Sequence, residues 1–91
     1  MADAEIKMKI MPDSVEADLE MIKTKAIEVV KAFEPIGEVK TSEEPVAFGL
    51  KAVMVEFVID ENKGTDEVEE RLSEIEFVNS VEVAAYSRTL G

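Results

Sequence analysis

The sequence predicts an α+β domain in which a four-stranded antiparallel sheet carries two helices on one face. Three observations predict it: two segments of apolar alternation, two amphipathic helical stripes, and turn residues that separate the elements in the order βαββαβ. From Ala4 to Met11, Ile6, Met8 and Ile10 point one way and Glu5, Lys7 and Lys9 the other, the period of a strand with one buried face. Pro12-Asp13-Ser14 ends it, and Asp13 or Ser14 is expected to cap a helix, Asp13 with Glu16 in capping-box spacing. Val15, Leu19, Ile22, Ala26, Val29, Val30 and Phe33 then recur at steps of three and four, one stripe of about five turns. Pro35 and Gly37 stop it. Glu38 to Glu44 is charged on both sides and is followed by Pro45, which suits an edge strand or a loop.

Leu50 to Asp60 is the strongest strand. Val53, Val55, Phe57 and Ile59 line one face, and Ala52, Met54 and Val58 make the other nearly apolar, broken by Glu56, so the strand is expected to be central. Met54 and Val58 either flank a partly exposed sheet or pack against a partner. After the turn Glu61-Asn62-Lys63-Gly64, Thr65 is expected to cap a second helix. Asp66, Glu67, Glu69 and Glu70 suit its positive N-terminus, and Val68, Leu72 and Ile75 form its stripe. The last strand runs from about Val78 to Arg88, with Val81, Val83 and Ala85 alternating with Glu82, Ala84, Tyr86 and Arg88. Right-handed crossovers give a ferredoxin-like sandwich with the first and third strands central, an architecture that by itself assigns no function.

Composition excludes most chemistry. The 91 residues (10.1 kDa) make one domain, 1–91, and contain no cysteine and no histidine. Thiolate metal sites, the usual catalytic triads and the commonest general base are therefore absent. The glycines are scattered rather than gathered in a phosphate loop. Asp60, Glu61 and Asn62 lack the spacing of a calcium loop, and Asp66, Glu67, Glu69 and Glu70 read as a solvated helix start. The chain is expected to have no bond chemistry, metal or cofactor. Its net charge of −11 makes nucleic acid a poor partner, because phosphate contacts need clustered Lys and Arg. No aromatic stands on the strong strand's outer face for base stacking. The same charge reads either as solubility in a salty cytoplasm or as complementarity to a basic partner surface. No apolar run approaches the ~20 residues of a membrane span and no signal-peptide core is present, so a cytoplasmic protein, monomeric when free, is expected.

Two positions stand out. Phe48 lies between Ala47 and Gly49 near the tip of the central hairpin. It is either folded back on the core or an aromatic anchor for a partner pocket, with Gly49 allowing close approach. Arg88 is the only basic residue after Arg71, and reads either as a solvated terminal charge or as a cation delivered into an anionic site of a partner.

From Val46 onward the chain is similar to a known family. VAFGLKAVMVEFVIDENKGTDEVEERL followed by VNSVEVAAYSR resembles the guanine-nucleotide-exchange domain of translation elongation factor 1-beta. The residues that carry the resemblance are Phe48-Gly49 followed by Leu50-Lys51, the alternating strand, the acidic turn with Lys63-Gly64 before an acidic helix, and the ending Val83-Ala84-Ala85-Tyr86. Ala4 to Glu44 matches mainly in element order, and the length resembles the archaeal form. The resemblance implies binding to elongation factor 1-alpha, the GTPase that delivers aminoacyl-tRNA, and acceleration of GDP release. It also implies partner contacts at Phe48, Gly49, Tyr86 and Arg88. In eukaryotic members a lysine near the C-terminus approaches the GTPase's magnesium and phosphate region, and the hairpin aromatic enters a second GTPase domain. Arg88 and Phe48 match those positions. Here Arg replaces Lys and Thr89-Leu90-Gly91 follows it, a swap that is not conservative at a tight site. Topology places Phe48 and Arg88 at opposite ends of the sheet, about 30 Å apart, able to reach two domains of a large partner. The alternative is a small-molecule-binding regulatory module, which needs a shaped polar pocket or a dimer rather than two distant contacts.

Overall fold

The computed structural model describes residues 2–90. The sheet has the order β2-β3-β1-β4, built from β1 (Ala2–Pro12), β2 (Lys40–Pro45), β3 (Lys51–Asp60) and β4 (Val78–Leu90). Every neighbouring pair is antiparallel, and α1 (Leu19–Lys31) and α2 (Thr65–Ser73) cover one face. This is the ferredoxin-like βαββαβ sandwich, with the first and third strands central as expected. Of the extension after Arg88, Gly91 and the side chains of Thr89 and Leu90 lie outside what is described.

Period-two patterning builds the core directly. Ala4, Ile6, Met8 and Ile10 of β1 stand opposite Ile59, Phe57, Val55 and Val53 of β3. All eight are buried, and Ile22, Ala26 and Val30 of α1 with Val68 and Leu72 of α2 close over them. The other sheet face carries no helix, yet Ala52 and Met54 are also buried there. In register Met54 lies between Lys9 and Ser42, where a lysine's aliphatic stem lies along apolar surface with its ammonium in water. Met54 is thus enclosed by its own sheet and offers no surface to a partner. Lys7 and Glu56, paired at 3.4 Å, continue the open face. β2 is an edge strand, beginning two residues later than Glu38 and ending on Pro45, which an edge tolerates because it lacks only an outward N–H.

Three local expectations are corrected. α1 starts at Leu19, capped by Asp18, whose Oδ1 accepts the Met21 amide at 3.2 Å, and not at Asp13 or Ser14. The Asp13 amide instead donates to the Phe77 carbonyl at 2.8 Å, tying the β1–α1 loop to the start of β4. Val15 therefore falls outside the helix and is 64% exposed. The second helix is capped at Gly64, with Thr65 its first helical residue. In β4 the alternation breaks: Lys7 pairs with Ala85 but Met8 pairs with Val83, so Ala84 is an extra residue, a β-bulge. The bulge brings Tyr86 and Arg88 onto the helix-side face with Val81 and Val83, opposite Ile6 and Ala4.

Ionic and polar tethers fix the connections. Lys63 Nζ donates to the Phe33 carbonyl at 2.7 Å, two residues beyond the end of α1, where free carbonyls and the negative end of the dipole favour a cation. Lys23 Nζ of α1 meets Glu43 Oε2 of β2 at 2.6 Å and Glu20 Oε1 at 3.4 Å. The hydrogen bond to Glu43 holds the Lys23 ammonium above the usual lysine range, and the same bond holds Glu43 below the usual carboxylate range.

Candidate partner-binding site

The hairpin between β2 and β3 folds into a tight turn over Ala47–Gly49. The Val46 amide donates to the Leu50 carbonyl at 2.9 Å and the Leu50 amide to the Ala47 carbonyl at 3.3 Å, closing a small loop with Phe48 at its apex. Phe48 has φ 61° and ψ 30° and Gly49 has φ 76°, two successive left-handed residues. Glycine enters that region freely, whereas an L-residue does so at a cost of about 1–2 kcal/mol. The ring of Phe48 makes no return through packing, since the residue is 94% exposed. Phe48 is thus a large aromatic held in left-handed backbone and displayed to solvent, and the alternative of Phe48 folded back on the core is excluded. Gly49 is required for its backbone angle rather than for space, because an added Cβ would meet Val15 Cγ1 at an ordinary 3.9 Å. The same contact shows that Val15 stands beside this turn. Phe48 and Val15 are both exposed apolar residues at this end of the sheet.

Tyr86 and Arg88 occupy the other end. α2 has nine residues and β4 thirteen. The helix is thus about 14 Å long and the strand about 43 Å. It covers the start of β4, where Val78 and Val81 pack on the core, and cannot reach its end. Exposure then rises along the strand, from 39% at Val83 to 47% at Tyr86 and 67% for the Arg88 side chain. Arg88 pairs in register with Ala4, which pairs with Ile59, whereas Pro45 pairs with Lys51 beside the Phe48 turn. The eight residue steps from Lys51 to Ile59 place the two ends about 27 Å apart. Arg88 is not a simply solvated charge: its Nε lies 3.2 Å from Glu61 Oε2.

The fold thus brings Tyr86 and Arg88 together and sets Phe48 and Gly49 far from them. Sequence reasoning missed Val15, whose spacing four residues before Leu19 mimicked the helical stripe, and Glu61, which carried no signal beyond its place in an acidic turn. Among the described residues no group of three or more acidic side chains converges to hold a metal ion. Asp60 accepts the Asn62 amide at 2.9 Å, and Glu61 faces Arg88. No helix of the described residues is long and apolar enough to cross a membrane.

Comparison with known proteins follows the same lines. Residues 5–89 match the family described as the EF-1 guanine nucleotide exchange domain. The chain is 41% identical over 85 residues to the elongation factor 1-beta of Methanosarcina acetivorans, covering 91% of this chain and 93% of that one. It is 38% identical over 91 residues to the elongation factor 1-beta of Methanothermobacter thermautotrophicus, covering 99% and 100%. Among solved structures it superposes on the apo C-terminal domain of a cyclometallase involved in the synthesis of the NPN cofactor of lactate racemase. The TM-score is 0.63 at 12% identity, over 99% of this chain and 58% of that one, a likeness of fold alone.

Proposed function

Because the chain belongs to the EF-1 guanine nucleotide exchange domain family, whose role is nucleotide exchange on a translation factor, we propose that it binds elongation factor 1-alpha and promotes GDP-to-GTP exchange there. The observation that carries this reading is the two-ended arrangement: Phe48, 94% exposed on a strained turn, and Arg88, about 27 Å away. A small ligand needs no such span, whereas a GTPase of several domains does. Phe48, with Gly49 setting the turn, is the apolar anchor. Arg88, with Tyr86 beside it, is the cation that approaches the anionic region around the partner's nucleotide.

The mechanism is coupling without bond chemistry. A factor that binds the nucleotide-free GTPase more tightly than the GDP form lowers GDP affinity by the same ratio. Phe48 supplies binding in both forms, which holds the complex together. Arg88 supplies the difference, because a guanidinium placed near phosphate and magnesium competes with the metal for the same oxygens. Its planar fork suits phosphate oxygens and is bulkier than an ammonium, so it acts by pairing with anions rather than by filling a small cation's place. The acidic surface, −11 overall, speeds encounter with a basic, tRNA-binding face.

The small-molecule alternative draws less support. The larger hollow beside the open sheet face, about 360 Å³, is lined by Glu5, Glu38, Glu56 and Lys40 with the apolar Ile36 and Val58. Three of its four charged groups are carboxylates, and neither Phe48 nor Arg88 takes part. The reading is tested by measuring affinity for elongation factor 1-alpha in its nucleotide-free and GDP-bound forms. Tighter binding to the nucleotide-free form is expected, and lost when Arg88 is replaced by Ala. Equal affinity for both forms would refute it.

A further inference from the structure

Arg88 is held by a residue that no partner supplies. Its Nε lies 3.2 Å from Glu61 Oε2, with the Arg88 side chain 67% and the Glu61 side chain 27% exposed. Glu61 Oε2 itself is shielded from solvent and accepts no hydrogen bond among the described residues. A shielded carboxylate oxygen without a hydrogen bond is unfavourable, so the nearby guanidinium charge is what compensates it. The contact is an ion pair by distance, without a hydrogen bond. Guanidinium has five N–H donors in a fixed plane. None of them is directed at Glu61 Oε2, so the pair restrains where the charge sits and leaves the donors for another anion.

Three hydrogen bonds hold the turn that carries Glu61. Asp60 Oδ1 accepts the Asn62 amide at 2.9 Å, and the Lys63 amide donates to the Asp60 carbonyl at 2.9 Å. Lys63 Nζ then anchors the same turn to the Phe33 carbonyl at 2.7 Å. Ala4, buried and of minimal size, lies between Arg88 and Ile59 in the register. The arginine therefore crosses β1 where no bulky side chain stands in the way. The β-bulge at Ala84 is what places Arg88 on the face that Glu61 shares.

We propose that Glu61 is a positioning residue for Arg88: its carboxylate holds the guanidinium charge at this end of the sheet, where it meets the partner's anionic site. The proposal rests on the exchange reading above and adds to it the residue that holds the cation in place.

The test combines Glu61→Gln and Arg88→Ala, singly and together, in stimulated release of a fluorescent GDP analogue from elongation factor 1-alpha. Glu61→Gln keeps the shape and removes the charge. It is expected to lower the maximal stimulated rate about threefold, within what an exposed ion pair supplies, and to leave the half-saturating concentration unchanged. In the Arg88→Ala background it should cause no further loss. A wild-type rate for Glu61→Gln, or an equal loss in both backgrounds, would overturn the proposal. A second readout needs no GTPase: the Arg88 Nε–Hε resonance of the free protein should move on Glu61→Gln, and an unmoved resonance would equally overturn it. Failure of the wild-type protein to stimulate release would refute the exchange reading instead, and the resonance comparison would then decide the Glu61 contact by itself.

Discussion

Replacing Phe48 with glycine should move stability and binding in opposite directions. Phe48 holds φ 61° and ψ 30°, a left-handed conformation that costs an L-residue about 1–2 kcal/mol. Glycine removes that cost and adds about 0.5–1 kcal/mol of unfolded-chain freedom. The residue is 94% exposed, so no buried contact is lost. The balance is a gain of roughly 0.5–1 kcal/mol, which raises Tm by a few degrees in a domain of this size. At the interface, the same change deletes an aromatic whose burial is worth about 1.5–3 kcal/mol. The Kd for elongation factor 1-alpha should therefore rise about 10- to 150-fold. Phe48→Ala separates the two effects, because alanine keeps the backbone cost and loses the ring: affinity falls alike while Tm stays put. Differential scanning calorimetry and titration calorimetry on the nucleotide-free GTPase read both quantities. A fall in Tm for Phe48→Gly would mean that the ring packs on the fold, and an affinity within twofold of wild type would mean that it meets no partner. Either result refutes the reasoning.

Three further outcomes follow from the same geometry. Gly49→Ala meets open space apart from Val15 Cγ1 at 3.9 Å but must hold φ 76°, so it should lose about 1 kcal/mol of stability in denaturant unfolding. Val15→Ser should leave Tm unchanged, since Val15 is 64% exposed, and weaken GTPase binding by a few fold if the patch beside Phe48 is part of the contact. For the Lys23–Glu43 pair the signs are opposite. Glu43 is lowered in the folded state by its bond to Lys23, so its contribution is present above the unfolded carboxylate range and lost as pH falls through the folded value. Lys23 is raised, first by the same bond, so its contribution is present below the unfolded lysine range and lost as pH rises through the folded value. The stability difference between wild type and Lys23→Met should therefore be constant from about pH 6 to 9 and shrink at both extremes, as read by urea unfolding across pH.

Much of this arrangement was legible in the residues themselves. Ile6, Met8 and Ile10 against Val53, Val55, Phe57 and Ile59 carry a period-two signal that survives into the register unchanged, because each strand buries one whole face. The open-face burial of Met54 was ambiguous, since an apolar residue on an outer face looks the same in sequence whether a partner or a neighbouring strand covers it. Asp13 and Asp18 both satisfy the chemistry of a helix cap, and only the Asp13–Phe77 link, a contact between chain segments far apart, decides between them. Val15 went astray for the same reason. The bulge at Ala84 is invisible to periodicity, since one inserted residue in Val83-Ala84-Ala85-Tyr86 leaves every side chain a small or ambiguous one. Yet that single residue decides which face Arg88 uses. The exposure of Phe48 was legible only as an alternative, and its left-handed backbone supplied the missing argument. Glu61 lay outside any local signal, because its partner is twenty-seven residues away in sequence and two strands away in the sheet.

The most direct test of the account is release of a fluorescent GDP analogue from the same organism's elongation factor 1-alpha, with this protein present at a small fraction of the GTPase. The account predicts that each molecule of protein releases many molecules of GDP, with turnover slowed by Phe48→Ala through the half-saturating concentration and by Arg88→Ala through the maximal rate. Release unchanged by the protein, from a GTPase that still loses GDP when its magnesium is chelated, would contradict it.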